Sequence, residues 1–572
     1  MKQKMKITIM TADKVFLNGI IHTENDAKDC VEALAVAGSR ILFAGSRAEA
    51  EAMIGPDTEV IDLNGRVMLP AFIDGHTHPA TVAKSRWRIR LPEFETKEEL
   101  LQYVKDYCEE HPVSEVPYFF GEFYSSTMFG EDGPRKEWID AYVSDRPVRL
   151  QEFTDHACWY NSRALKLMGI DASVEEDGVW PLYVRDPDNE PTGLVMEPVP
   201  SDDGEERMYE QIGWHPPTEV TEETILPFLD FLKDNGVIGL LDGITEGEES
   251  MKFFHDLDAA GKLNMYYKGT CLLEEFSELD TCIATLRDWQ AKYTTEHVYI
   301  DTVKLFADGT NELGDSASLE PYYNDPAGTN YGVINYDEDE LAQIMTRLND
   351  EKLDLHIHVV GDRGFRTCCN AYERAKDAAE AAGKSWEMYL ELAHCELVHP
   401  DDMRRPAELG IFINWTPHWA GGYFGDAAID YLGRERWEKM YDFTTMLEAG
   451  AVVTCSSDVT GVSEEKRANP YFGMQVCATR IDPEDPVDKE KYPQGVRPPA
   501  HAKLPVETLI DGYTRQGARA LRLEEKTGVL APGRMANLMV LNRDIYQTPP
   551  EELGTISPEL VMFEGAFIKG FA

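Results

Sequence analysis

Eight short apolar runs of strand-like composition recur through the middle of the chain, and amphipathic helical patterns lie between several of them. The first run precedes His76, and the other seven begin at Val237, Met265, Thr302, Leu355, Leu390, Ile411 and Val452. Apolar residues three and four positions apart mark helical faces at 225–232 and 341–348. Eight strands with intervening helices predict an α/β fold of the (β/α)8 type, a TIM barrel, whose chemistry lies at the carboxyl ends of the strands.

Residues 1–66 and 527–572 share a different pattern, in which short β-like runs alternate with turns. Because the ends of a domain often lie close together, we expect these two segments to form one β-sandwich, with the barrel at 67–526. Residues from about 80 to 225 interrupt the alternation of strands and helices. We expect them to form an inserted subdomain that follows the first barrel strand and shapes the substrate pocket.

The chain of 572 residues has 103 acidic and 55 basic side chains, a formal net charge of -48. This charge argues against nucleic acid and anionic membranes as partners. The amino terminus lacks a signal-peptide pattern, and no apolar run reaches membrane-spanning length. The ten cysteines are scattered, without Cys-x-x-Cys spacing, so we expect no disulfide framework and a cytoplasmic location.

His76 and His78 stand at the carboxyl end of the first run, where Asp74-Gly75 terminates the apolar stretch. Alternate residues of a strand point the same way, so both imidazoles face one side. Neutral imidazole nitrogen is a good ligand for zinc and its neighbours in the first transition series. By itself, the pair is equally compatible with a metal site and with two solvated or hydrogen-bonded histidines.

Four further residues whose side chains could bind metal or take part in catalysis stand at or near the ends of later runs: Lys304, His358, His394 and Asp458. A barrel brings all its strand ends to one rim. We therefore expect these residues to converge with the histidine pair, although nearly four hundred residues separate the first from the last.

These residues lie in segments that resemble the amidohydrolase superfamily, and most closely its branch containing the N-substituted formamide deformylases. The segments that carry the resemblance are Pro70–His78, Val303–Gly309, His358–Arg363, Ala393-His394, Ser456–Asp458, Asp155–Leu165, Glu190–Gly193, Pro417-His418 and Gly528–Ala536. The sequence departs from the branch at Asn537, where Asp is common, and around Phe123–Met128. The second departure leaves the substrate open.

The resemblance implies a set of metal ligands and a modified lysine. The ligands are His76, His78, Lys304, His358, His394 and Asp458. Lys304 would be carboxylated and bridge two ions, so the implied cofactors are one or two divalent ions, zinc first, and carbon dioxide as a lysine carbamate. Asp458 would be the catalytic proton carrier, together with Lys304 as the bridging group. An uncarboxylated Lys304 beside a single ion is the alternative.

Three other residues are candidates for substrate binding: His156, His418 and Asp308. Either histidine would orient the substrate carbonyl or fill a wet pocket. The alternative roles of Asp308 are a hydrogen bond to a metal-binding residue and the stabilisation of a turn. His356, two residues before His358, points the same way as that ligand, and we expect it to pack or hydrogen-bond behind the metal.

We therefore expect a metal-dependent hydrolase that cleaves a non-peptide C–N bond in a linear amide, as an N-acyl or N-formyl amine. A cyclic amidohydrolase or deaminase would use the same ions with a different pocket. A catalytically silent member that binds a small ligand is the third alternative. The expected partner is a small-molecule amide, and a homodimer is the candidate assembly.

Overall fold

The computed structural model describes residues 11–571, except for 93, 126–127, 130–132, 153–156, 175–181, 197–202, 313, 422–424, 427 and 485–491. Two compact units emerge from it. The first comprises Met1–Ala80, Ile225–Thr460 and Lys466–Ala572, and the second comprises Thr81–Thr224 and Gly461–Glu465.

The strands, numbered in chain order, are β1 (Lys14–Leu17), β2 (Ile20–His22), β3 (Cys30–Val31), β4 (Ala33–Ala37), β5 (Arg40–Gly45), β6 (Glu59–Asp62), β7 (Val67–Pro70), β8 (Phe72–Thr77), β9 (Ile89–Arg90), β10 (Phe119–Tyr124), β11 (Val148–Glu152), β12 (Ala157–Tyr160), β13 (Leu182–Arg185), β14 (Pro191–Met196), β15 (Val237–Asp242), β16 (Tyr266–Leu272), β17 (Val298–Phe306), β18 (Asp354–Val359), β19 (Leu390–His394), β20 (Phe412–Trp415), β21 (Val452–Cys455), β22 (Leu538–Leu541), β23 (Pro558–Phe563) and β24 (Ala566–Lys569).

The α-helices are α1 (Arg47–Glu51), α2 (Pro79–Ser85), α3 (Lys97–Glu110), α4 (Lys136–Asp140), α5 (Ser162–Met168), α6 (Asp203–Ile212), α7 (Glu222–Asp234), α8 (Gly247–Ala259), α9 (Leu279–Tyr293), α10 (Glu338–Glu351), α11 (Asp362–Ala381), α12 (Arg405–Leu409), α13 (Ile429–Trp437), α14 (Phe443–Glu448), α15 (Pro470–Thr479), α16 (Val506–Asp511) and α17 (Gly517–Ala520). Within the described residues, no helix has the length and apolar character needed to cross a membrane.

Eight parallel strands form one sheet in the order β8-β15-β16-β17-β18-β19-β20-β21, with helices between them. Beyond the edge strands, the amide of Asp458 donates to the carbonyl of His76 at 2.8 Å, and the amide of His78 donates to the carbonyl of Val459 at 3.2 Å. These bonds join the first and last strands. The predicted TIM barrel is therefore confirmed.

Local sequence explains where a barrel helix begins. At the start of α10, Asp337 accepts a hydrogen bond from the amide of Glu340 at 2.8 Å. The side chain of Glu340 accepts one from the amide of Asp337 at 3.0 Å. This reciprocal capping box satisfies two amides that the helix itself leaves without partners.

The apolar run before His76 differs from the expectation of one buried strand, because it is divided between two sheets. Strand β7 pairs with β2 and β22, whereas β8 pairs with β15 of the barrel. Pro70, the last residue of β7, has no amide hydrogen to donate. The next two amides then change partners: Ala71 donates to Asn537 and Phe72 donates to Gly236. The run thus carries the chain directly from one sheet into the barrel.

The two chain ends share a sheet of order β24-β23-β22-β7-β2-β3, beside a second sheet of order β5-β4-β1-β6. Buried side chains from both segments form one core, which contains Phe16, Leu34, Met68, Leu538 and Leu560. Burial of such side chains stabilises each by about 1.5–3 kcal/mol relative to exposure, so neither segment has a complete core alone.

The second unit contains a six-stranded sheet of order β13-β14-β12-β11-β10-β9. Successive residues of β10 enter different cores: Phe119 packs with Leu100 of α3, whereas Phe120 packs with Leu165 of α5. This alternation is the period-two pattern of a strand with both faces covered.

His297 links the barrel to the sandwich within the first unit, and it should make stability depend on pH. Its Nδ1 lies 2.7 Å from Asp258 and its Nε2 lies 3.4 Å from Glu564. The nearby carboxylates of Glu564 and Asp258 raise the pKa of His297 against the opposing effect of burial. A raised pKa contributes stability that is fully present below the unfolded-state value and is lost as pH rises through the folded-state value.

We therefore predict that His297→Gln lowers the free energy of unfolding by on the order of 1 kcal/mol near pH 5.5, and by much less near pH 8.5. Denaturant unfolding at both pH values measures the difference. The control is His501→Gln, because His501 pairs with Asp442 at 3.3 Å while remaining 62% exposed. A His297→Gln deficit that is equal at both pH values would contradict the prediction.

Candidate metal centre

The strand ends place three side chains around one point. The Nε2 atoms of His76 and His78 are 3.2 Å apart. Oδ1 of Asp458 lies 3.1 Å from Nε2 of His78 and 3.4 Å from Nε2 of His76. Four-coordinate zinc, with bonds of about 2.1 Å, holds its ligand atoms about 3.4 Å apart. The spacing of these three atoms therefore fits a single divalent ion.

Two other predicted ligands flank this group. Nδ1 of His394 is buried without a hydrogen-bond partner among the described residues, and it faces Oδ2 of Asp458 at 3.5 Å. The His358 ring lies 4.6 Å from the His394 ring, centre to centre, and its Nε2 is 3.1 Å from the carbonyl of Gly309. A carbonyl only accepts, so this contact assigns the proton to Nε2 and the lone pair to Nδ1 of His358. Asp458 thus stands between two pairs of histidines.

Electrostatics in this group favour cation binding. Burial lowers the pKa of His76 and of His394 well below the ordinary value, which keeps both imidazoles neutral. Burial opposes ionisation of Asp458, but positive charge at the centre of this group, on an imidazole or on a bound cation, lowers its pKa well below the usual value. Neutral imidazole and ionised carboxylate are the forms that bind metal.

Lys304 lies in the same layer of the barrel, paired in register with His356. Its side chain is buried, and no described residue forms a hydrogen bond or an ion pair with its ammonium. The Nζ atom lies 4.9 Å from the centre of the Phe306 ring. Burial lowers the pKa of Lys304 to about 8, although Asp458 and Glu391 oppose the shift. A buried amine close to neutrality is unlike an ordinary structural lysine.

Backbone conformation at the strand ends is unusual. His394, Cys395 and Asp458 have φ angles of 75°, 46° and 48°, a region that residues other than glycine seldom adopt. Such conformations cost roughly 1–3 kcal/mol each and concentrate at functional sites. Here they turn the chain sharply where His394 and Asp458 leave their strands.

The three candidates for substrate binding have different surroundings. His156 lies outside the described residues. Nε2 of His418 donates to the carbonyl of Ser457 at 2.7 Å, and burial lowers the pKa of His418 to about 3, so this imidazole is neutral. Asp308 accepts from the amides of Ala317, Val360 and Gly361 at 2.8–3.0 Å. These bonds favour a role for Asp308 in holding the loops that follow β17 and β18.

Sequence reasoning did not single out several groups that hold the ligands. Oδ1 of Asp74 accepts from the amide of His76 at 3.2 Å and from the amide of Ser457 at 3.0 Å. Glu391 lies behind His356, at 2.9 Å from its Nδ1. A charged residue inside the apolar run Leu390–His394 was the available signal.

Comparison with known proteins supports the fold and identifies the family. The sequence model of the family described as Amidohydrolase family matches residues 59–568. YtcJ of Bacillus subtilis (strain 168) is 27% identical, covering 97% of this chain and 99% of that protein. The N-substituted formamide deformylase of Arthrobacter pascens is 24% identical, covering 95% of each chain. A metal-dependent hydrolase from Pyrococcus furiosus has the same fold, with a TM-score of 0.64, 24% identity, and coverage of 94% and 99%.

A TIM barrel with two histidines and an aspartate gathered at its strand ends, matched over most of its length by this family model, defines a metal-dependent hydrolase. The chain belongs to the amidohydrolase family. The resemblance drawn from the sequence motifs is thereby confirmed.

Gly243, the residue after β15, offers a test of the metal centre. A Cβ atom at this position would lie 2.3 Å from Nε2 of His76 and 2.7 Å from Cε1 of His78. We predict that Gly243→Ala displaces these imidazoles and weakens zinc binding by at least about 10-fold, with the fold retained. Chelator competition measures the affinity.

The control is Gly239→Ala within β15, where the nearest atom to an added Cβ is 3.4 Å away. This variant should bind zinc as the wild type does. Unchanged zinc affinity in a folded Gly243→Ala protein would contradict the placement of the metal between His76 and His78.

Proposed function

We propose that this protein hydrolyses a non-peptide C–N bond in a linear amide, in the form of an N-acyl or N-formyl amine, with zinc as the resident metal. The observation that carries the proposal is the triad of His76, His78 and Asp458, whose ligand atoms lie 3.1–3.4 Å apart. The choice of a linear amide draws support from the relative named N-substituted formamide deformylase, which is 24% identical over nearly the whole chain.

The residues of the triad suit the chemistry of amide hydrolysis. A divalent ion supplies a coordinated water of lowered pKa and polarises the substrate carbonyl. His76 and His78 would hold such an ion through Nε2, and Asp458 through Oδ1. Oδ2 of Asp458 is then the atom that accepts a proton from the attacking water and returns it to the leaving nitrogen. The carboxylate of Asp458 is ionised at neutral pH, which is the form that can accept this proton.

Lys304 would complete the centre as a carbamate. In that reaction the neutral Nζ attacks carbon dioxide, a C–N bond forms, and one amine proton is released to water. Burial promotes the first step because it lowers the pKa of Lys304 to about 8 and so enlarges the neutral fraction. The carbamate would offer anionic oxygens to divalent ions, which His76 and His78, and His358 and His394, would also help to hold.

We also propose a cytoplasmic location, supported by the free thiols of all ten cysteines.

The lysine carbamate gives a specific prediction. Metal-free wild type should recover activity further with zinc and bicarbonate than with zinc alone, and ¹³C-bicarbonate should give a carbamate resonance. Lys304→Ala should lack that resonance, bind one fewer ion and lose most activity. Lys268 is the internal comparison: it is equally buried, but Asp301 lies 2.8 Å from its Nζ and its pKa is raised, so it stays cationic.

If the activity that the wild type recovers with zinc does not depend on bicarbonate, and no carbamate resonance appears, the proposed two-ion centre is wrong. The one-ion hydrolase would remain, with Lys304 as a buried amine.

The reaction itself is tested with a substrate panel on protein of measured zinc content. N-formyl and N-acetyl amines are compared with hydantoins, dihydropyrimidines and amino-heterocycles. We expect the highest kcat/KM on a linear amide, and a loss of at least about 100-fold in His76→Ala and Asp458→Ala. Faster turnover of a ring substrate would favour a cyclic amidohydrolase or deaminase instead. Absence of turnover in zinc-loaded protein would favour a silent ligand-binding member.

A further inference from the structure

A chain of hydrogen bonds runs from His76 into the barrel core, away from the metal centre. Nδ1 of His76 lies 2.8 Å from Nε2 of His356, and Nδ1 of His356 lies 2.9 Å from Oε2 of Glu391. The three residues are at most 6% exposed. They come from β8, β18 and β19, so the contacts cross the barrel interior between strands that are 280 residues apart in sequence.

The carboxylate of Glu391, at the end of this series of hydrogen bonds, determines which nitrogen atoms donate and which accept. An ionised carboxylate only accepts hydrogen bonds, so Nδ1 of His356 must carry a proton. A neutral His356 then has its lone pair on Nε2, which can only accept. His76 must therefore donate from Nδ1, and its lone pair is on Nε2. That is the atom that faces Nε2 of His78 and Oδ1 of Asp458.

The carboxylate of Glu391 is held in place by other donors. Its Oε1 accepts from the hydroxyl of Thr454 at 2.6 Å and from the amide nitrogen of Asn414 at 3.3 Å. Oδ1 of Asn414 in turn accepts from the hydroxyl of Ser456 at 2.7 Å. Three donors therefore converge on Glu391, which fixes both its ionised form and the direction of its Oε2.

We propose that Glu391 and His356 are positioning residues that fix the tautomer and ring orientation of His76, and thereby set the affinity of the centre for its divalent ion. We call this pair the Glu391–His356 relay. The inference rests on the proposed metal-dependent function. Partners of this kind behind a metal-binding histidine typically contribute about 10-fold to 100-fold in metal affinity.

Two substitutions interrupt the relay in different ways. His356→Leu removes the acceptor for Nδ1 of His76 and leaves a side chain of comparable size. The Glu391→Gln substitution keeps the shape of the side chain but introduces N–H donors at the position toward which three donors already point. The glutamine amide then competes with Nδ1–H of His356 and favours the wrong tautomer.

The matched control is Asp354→Asn. Asp354 is also a buried carboxylate, in the same strand as His356, but it lies at the opposite end of the barrel, where Arg522 donates to it at 2.7 Å. A general loss of stability should appear in this variant without any change in metal affinity.

The measurements are the zinc dissociation constant by chelator competition, the unfolding temperature of the metal-free protein, and the visible spectrum of the cobalt-substituted protein. We expect both relay variants to bind zinc about 10-fold to 100-fold more weakly and to show an altered cobalt spectrum, while Asp354→Asn binds as the wild type does. Because the two residues act in series, the double variant should be no weaker than the weaker single variant.

Unchanged zinc affinity in a folded His356→Leu or Glu391→Gln protein would overturn the relay, and so would fully additive losses in the double variant. If neither single variant folds, Thr454→Val decides: it removes one donor to Glu391, and an unchanged dissociation constant would overturn the proposal. Wild-type protein that binds no divalent ion would instead refute the proposed function. Wild type that binds zinc and hydrolyses amides, with relay variants of equal affinity, would refute the relay alone.

Discussion

Closure of the eight-stranded sheet is the constraint on which the metal centre depends. Strands β8 and β21 lie at opposite edges of the sheet order, and in a flat sheet seven spacings of about 4.8 Å would hold them roughly 34 Å apart. The bond of 2.8 Å from the amide of Asp458 to the carbonyl of His76 brings these edges together. Asp74 strengthens the junction, because one carboxylate oxygen accepts from both His76 and Ser457. The same contacts that complete the barrel therefore complete the ligand triad.

The centre also illustrates how buried polar groups depend on one another. The Nε2 atoms of His76 and His78 lie 3.2 Å apart beside the carboxylate of Asp458, and a cation between these potential ligand atoms would relieve the cost of burying them together. Burial raises that cost and at the same time keeps His76 and His394 unprotonated, which is the state that binds metal. Left-handed backbone at His394 and Asp458 adds further strain at the rim. The network behind the rim, from His356 to Glu391 and Thr454, holds these groups in place.

Much of this structure was accessible from the sequence. The eight barrel strands follow from short apolar runs, and each predicted ligand stands at or near the end of one, because parallel strands end at a common rim. The capping box of α10 likewise depends only on residues three apart. Local sequence pattern gave the wrong expectation where pairing between distant strands decides which sheet a segment joins. The run through Pro70 reads as one strand, and only its different neighbours, β22 and β15, divide it between two sheets. The contact between His76 and His356, and the space that Gly243 leaves for the imidazoles, depend on side chains that no local period brings together.

The most direct test of the central claim is anomalous scattering at the zinc edge from crystals of the active, zinc-loaded protein. We predict a peak within bonding distance, about 2.0–2.2 Å, of Nε2 of His76, Nε2 of His78 and a carboxylate oxygen of Asp458. Active protein whose zinc lies elsewhere, with these three side chains bonded only to water or to one another, would contradict it.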